Sequence, residues 1–143
     1  MGACSAQETE ILDEPIIQEE AATIRMGGKV PPTGEITITT EALSSEDAAC
    51  IIPIQIRNGT DAMASVSMFG FDVTGDGDAD TGNMFPQDVP AGEYRTARII
   101  QIGQSCAAFD TITPKDVLCK TGGETCEVSF EDSSEITFAT SAN

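Results

Sequence analysis

From Gly34 onward, apolar residues recur at every second position. Ile36 and Ile38 alternate with Thr37 and Thr39, and Cys50, Ile52, Ile54 and Ile56 share one parity in a run that ends at Asn58-Gly59. A period of two sends alternate side chains to opposite faces, so these runs predict two half-buried strands and a hairpin turn at the Asn-Gly pair. Between Ala62 and Val73 the parity slips. Val66 and Met68 lie on one face, but Phe69, Phe71 and Val73 lie on the other. One extra residue in a strand produces such a switch, so a β-bulge is predicted there.

An acidic loop, Met84-Phe85 and a Pro90-Ala91-Gly92 turn follow, and then a strand from Glu93 to Ile102 in which Tyr94, Ile100 and Ile102 share parity. Three later runs complete the series: Thr111 to Cys119, the alternation Cys126-Val128-Phe130, and Ile136-Phe138 after an Asp-Ser-Ser turn. Seven or eight short strands separated by turns predict an all-β fold, an antiparallel immunoglobulin-like β-sandwich.

Residues 1 to about 33 carry no sustained period. Acidic residues mix with Ile11, Leu12, Ile16 and Ile17 until Gly27-Gly28 and Pro31-Pro32 break any regular element. This part is expected to be an extended N-terminal tail, a tether or docking segment over 1–33 ahead of a domain over 34–143. Ile17, Ala21 and Ile24 are spaced for two helical turns, but no cap stops such a helix before Gly27.

At 143 residues the chain has room for one domain and a short tail. Without Trp, and with Tyr94 as its only tyrosine, it must build a mainly aliphatic core. The formal net charge of −17 excludes nucleic acid as a partner, because phosphate backbones are bound through Lys and Arg that displace counterions. With no His, the imidazole-dependent triads, dyads and metal sites are closed. Asp80-Thr81-Gly82 matches the aspartic-protease triplet, but it follows the polar Asp76-Gly77-Asp78-Ala79 where that chemistry needs an apolar strand. No catalytic residue is assigned and the protein is expected not to be an enzyme.

Four cysteines fall in the strand-rich body. Cys50 shares parity with the Ile52-Ile54-Ile56 face and Cys126 with Val128 and Phe130, so both are expected to point inward. Two disulfides and an oxidising compartment follow, although three pairings are open. Cys119 and Cys126 bracket a tight turn and are the favoured pair, which leaves Cys50 with Cys106.

Two further motifs carry candidate chemistry. Gly2-Ala3-Cys4-Ser5 resembles the end of a bacterial lipobox, which implies that Cys4 is the lipidated first residue of the mature chain and the membrane contact runs through that anchor alone. Met1-Gly2-Ala3-Cys4 is also similar to the N-terminus of myristoylated proteins, apart from Ala6 where that pattern has Ser or Thr. Asp72 to Asn83 resembles the calcium loop of dockerins and EF-hands. Asp72, Thr74, Asp76 and Asp80 stand at alternate positions, Asp78 adds a carboxylate, Gly77 stands at the sharp turn and Asn83 at position twelve. The resemblance implies a possible Ca²⁺ site, and an acidic hairpin loop without metal is the competing expectation. Asn58-Gly59-Thr60 fits the glycosylation pattern, but the Asn-Gly pair already has a turn role.

Taken whole, the Cys-bearing strand ending in Asn, the Phe-rich second strand, the Pro-Ala-Gly turn and the Cys-rich final third resemble small exported bacterial proteins of immunoglobulin-like sandwich type. The resemblance implies a non-enzymatic protein of the periplasm or cell surface, a lipid-anchored interaction or structural subunit with a protein partner in a larger assembly. A filament or virion subunit docking through its tail and a calcium-dependent adhesion module are the other expectations. Intact mass spectrometry of the native protein tests both cysteine assignments. Reduction should add about two mass units for each of two disulfides, and a diacylglycerol adduct should appear on Cys4; a mass unchanged by reduction contradicts the oxidised reading.

Overall fold

The computed structural model describes residues 28–139. Eleven strands run through them: β1 (Ile36–Thr40), β2 (Ser44–Glu46), β3 (Ala49–Asn58), β4 (Ala64–Thr74), β5 (Asp80–Val89), β6 (Tyr94–Ile102), β7 (Thr111–Thr113), β8 (Val117–Thr121), β9 (Glu124–Thr125), β10 (Val128–Phe130) and β11 (Thr137–Phe138). A 3-10 turn at Cys106–Ala108 lies between β6 and β7.

The chain is all-β, as its periodicity predicts, but its two sheets are mixed and its strands more numerous than seven or eight. In the first sheet β3 pairs antiparallel with β6 on one side and with β1 and then β2 on the other, while β10 runs parallel to β1. In the second, β4 pairs with β5 on one side and with β7 and then β8 on the other; β9 adds to β8 and β11 runs parallel to β7.

The extra strands come from two interrupted edges. Glu41 donates its N–H to the Pro53 carbonyl at 2.9 Å. In an antiparallel strand a residue's N–H and C=O face the same neighbour, so the donor that Pro53 lacks faces the break between β1 and β2. Pro114 and Asp116, the latter at φ 45°, similarly divide the run expected over Thr111 to Cys119 into β7 and β8.

One core joins the sheets. Ile36, Ile38, Ile52, Ile54 and Ile56 from the first meet Val66, Met68, Phe71, Val73 and Ile112 from the second, all fully buried. The expected bulge is present. Register shifts between Phe69 and Phe71, where Gly70 adopts φ 68° and its N–H donates to Asn83 Oδ1 at 2.8 Å, so the buried parity passes from Val66 and Met68 to Phe71 and Val73.

The hairpin expected at Asn58-Gly59 does not form. β3 and β4 lie in different sheets, and Asn58 is a buried corner whose side-chain amide donates to the carbonyls of Ala62 and Val89 at 2.8 and 2.9 Å. Its Oδ1 accepts from the Thr60 N–H and hydroxyl. An amide that satisfies four polar groups at a sheet crossing outweighs the local turn preference of Asn-Gly, and its burial leaves no room for a glycan.

Both disulfides join the favoured partners, Cys50 with Cys106 and Cys119 with Cys126, at sequence separations of 56 and 7. Cys50 is fully buried as expected, whereas Cys126 is only half-buried and its partner Cys119 lies in the core. The body also extends further back than Gly34. Lys29 bridges to Glu93, and the chain from Gly28 to Val30 runs against residues 92–94, within the stretch assigned to the tether.

By the chain-entropy estimate the long bridge contributes about 4 kcal/mol and the short one about 2.5. Urea unfolding of the paired Cys→Ala variants is expected to show the larger loss for Cys50 and Cys106; equal losses contradict this ordering.

Candidate functional site

The segment that resembles a calcium loop is a β-hairpin. Its ladder pairs Asp72 with Thr81 and Phe69 with Asn83, which leaves only residues 75–79 as a turn and holds the outer ligand positions on opposite strands. Asp72 Oδ2 lies 2.9 Å from Lys115 Nζ, Asp80 Oδ1 accepts from the Thr81 N–H, and Asn83 Oδ1 is taken by Gly70. Thr74 ends β4, and Asp76 and Asp78 are exposed in the turn. Among the described residues no three acidic or cysteine side chains converge on a metal position. Gly77 does not adopt a positive φ. A Cβ there would instead meet Ala108 Cβ at 2.6 Å, so the glycine permits close approach of the 3-10 turn. Cys4 and the helical spacing at Ile17–Met26 lie outside the described residues.

A different feature dominates the surface. β5 and β6 are consecutive strands joined by the Pro90-Ala91-Gly92 turn, yet each pairs within its own sheet, β5 with β4 and β6 with β3. Past Tyr94, their outer edges therefore face one another without a ladder among the described residues. The groove between them encloses about 740 Å³, with Thr81, Met84, Phe85 and Gln87 on one wall and Arg95 to Gln101 on the other.

Main-chain polarity follows from the pairing on the opposite side of β6. The Glu93 carbonyl accepts from Asn58 on β3, and Gly103 donates to Ala48, so odd-numbered residues direct their polar groups at the first sheet. Even-numbered residues face outward, as the Tyr94 N–H shows by donating to the Gly28 carbonyl at 3.0 Å. Past that point Thr96, Arg98, Ile100 and Ile102 find no main-chain partner on this side among the described residues.

The side chains have the reverse parity to that of a sequence reading. Tyr94, Ile100 and Ile102 form an apolar row on β6, but Ala97, Ile99 and Gln101 are the buried set, and Ile100 and Ile102 are 55% and 80% exposed. Phe85, 67% exposed, stands on the facing wall with its ring edge-on to Phe69 at 5.6 Å. Gln101 closes the floor. It is 3% exposed, its amide approaches Gly82, and its side chain hydrogen-bonds to none of the described residues. A buried amide without a partner costs about 1–3 kcal/mol, so this position favours an occupant with main-chain donors and acceptors.

Charge distinguishes the groove from the rest of the molecule. No Asp or Glu lines it, although the chain has 24, and two of its seven basic residues do. Arg95 is shared with Glu93 at 3.0 Å; Arg98 is exposed and pairs with no carboxylate among the described residues. An extended ligand with apolar and acidic side chains suits this surface.

Sequence reasoning did not place this site because β5 is almost silent: Asp80, Gly82, Pro86 and Asp88 interrupt any alternation. The detectable signal was the isoleucine pair at 100 and 102, set opposite in phase to Ala97 and Ile99. Gly82 lets β5 pack closely over the core behind the groove, since a Cβ there would meet the buried Phe71 ring at 2.6 Å. Gly82→Ala is therefore expected to lower stability by about 1–3 kcal/mol in urea unfolding, and an unchanged midpoint contradicts that packing. Comparison with protein-family models, curated proteins and solved structures finds no match to this chain.

Proposed function

We propose that this chain is a non-enzymatic, exported cell-envelope protein, lipid-anchored at Cys4, whose immunoglobulin-like β-sandwich serves as an interaction or structural subunit of a larger assembly. The groove between β5 and β6 is the observation that carries this reading. It offers the outer edge of β6, exposed Phe85 and Ile100, and an arginine-bearing, carboxylate-free lining on an acidic body. Those are the requirements for recognising an extended segment by strand addition: main-chain hydrogen bonds supply affinity, and alternate side chains supply selectivity.

Other features agree with this assignment. Two disulfides suit an oxidising compartment, and the chain contains no imidazole for acid-base work. The parallel additions of β10 and β11 lie on the far sides of their sheets and leave the β5 and β6 edges uncovered among the described residues.

Titration of the full chain with fluorescent extended peptides tests the reading. Peptides alternating isoleucine with glutamate are expected to bind, lysine counterparts to bind far more weakly, and Ile100→Glu or Arg98→Glu to weaken binding about tenfold or more. Absence of binding by any acidic-apolar peptide contradicts it.

A further inference from the structure

The residues of β6 that line the groove fall on two faces. Arg95, Ala97, Ile99 and Gln101 lie opposite Ile56, Ile54, Ile52 and Cys50 of β3, all fully buried. Directly opposed residues in an antiparallel pair share a face, so these four project between the sheets. Thr96, Arg98 and Ile100 project instead to the outer face of the first sheet. On β5, Gly82 and Met84 lie opposite the buried Phe71 and Met68 and also face the interior. The inner lining is therefore apolar at its centre, where Met84, Ala97 and Ile99 stand, and closed at one end by the Gln101 amide.

Gln101 breaks the pattern of that lining. It is 3% exposed, and its amide nitrogen comes within 3.0 Å of the point that a Gly82 Cβ would occupy, so the side chain spans the groove floor from β6 to β5. Neither amide atom has a partner among the described residues. A buried amide held unpaired weakens the folded chain, and departures of this kind are expected where a ligand completes the site.

The chemistry of the missing partner follows from the amide. Its oxygen only accepts and its nitrogen only donates. A carboxylate answers the nitrogen alone, with a like charge two residues from Gly82 on the same face, at Asp80 opposite the buried Val73. An ammonium answers the oxygen alone, and a hydroxyl has one oxygen for both roles. A primary amide answers both atoms in a single planar pair and buries no net charge. The peptide units of an added strand are taken up along the β6 edge in the plane of the sheet, which leaves its inward side chains to meet Gln101.

We infer that the strand added to β6 carries an asparagine or glutamine on its inward face at Gln101, with apolar residues on that face beside Ala97 and Ile99. This rests on the reading of the groove as a strand-addition site and names the residue that selects its partner. Carboxylates of the added strand fall on its other face, the one that Arg98 occupies. Gln101 weakens the free chain and discriminates among partners, because an apolar residue at that place leaves the amide unpaired in the complex.

Peptides alternating isoleucine with glutamate, with the first or the last isoleucine replaced by glutamine or asparagine, make the test on the full chain. One of the substituted peptides is expected to bind about tenfold more tightly than the all-isoleucine parent, and the end at which the replacement acts sets the direction of the added strand. Gln101→Met keeps the length of the side chain without its donors and acceptors. This variant is expected to prefer the parent peptide and to unfold at a higher urea concentration than the unaltered chain. Three outcomes overturn the inference. If the parent binds the unaltered chain as tightly as every substituted peptide, the groove accepts strands without reading an amide. A preference for the amide that survives Gln101→Met places the reading group elsewhere. Lower urea midpoints for both Gln101→Met and Gln101→Leu show that the amide is already satisfied in the free chain. If no peptide of the set binds the unaltered chain, the strand-addition reading falls as well.

Discussion

Past Tyr94, main-chain hydrogen bonding on β6 is satisfied on one side only among the described residues. The polar groups of odd-numbered residues meet β3, and those of Thr96, Arg98, Ile100 and Ile102 meet nothing among the described residues. This follows from the course of the chain. The Pro90-Ala91-Gly92 turn carries it from β5 in one sheet to β6 in the other, so two consecutive strands end as facing edges instead of a ladder. The groove between them, the outward isoleucines and the exposed Phe85 all follow from that crossing. A long flat edge with apolar side chains invites pairing with another chain, and proteins ordinarily blunt such edges with charge, proline or a covering segment. Here Pro86 and Arg98 are present, but the edge of β6 remains continuous over four outward-facing residues.

The rest of the body holds this edge rigid. Cys50 ties the start of β3 to Cys106 just after β6, and Asn58 secures the opposite end of β3 to the carbonyl of Val89, the last residue of β5. β3 is thereby fixed at both ends, and β6 is held along its length against it. Preorganisation of this kind reduces the ordering cost of binding to the occupant alone. The acidity of the surface adds selectivity, because basic patches are scarce and the groove holds two of the seven basic residues.

Legibility in the sequence depended on how local the governing interaction was. The inward face of Ile52, Ile54 and Ile56 was visible from alternation, and the bulge at Gly70 from the parity slip between Met68 and Phe71. The Cys119–Cys126 pairing was visible from a short intervening turn, and Cys50–Cys106 followed by elimination. Long-range choices were hidden. Asn58-Gly59 has the local signature of a hairpin, yet the Asn58 side chain is committed to Ala62 and Val89. The break opposite Pro53 and the parallel additions of β10 and β11 likewise depend on partners distant in sequence. The Asp72 to Asn83 segment shows the same limit from the side of chemistry: its residue types suit an oxygen-ligand loop, but ladder pairing carries Asp72 and Asn83 onto separate strands. For the groove, half of the information was present as Ile100 and Ile102, and the other half, β5, has a pattern too interrupted to read.

The central claim is that the outer edge of β6 is open. Amide hydrogen exchange resolved by residue, on the full chain, tests it most directly. The account predicts slow exchange at Ala97, Ile99 and Gln101, whose N–H groups face β3, alternating with fast exchange at Thr96, Arg98, Ile100 and Ile102. Uniform slow exchange across Thr96 to Ile102 would contradict it, because the edge would then already be paired.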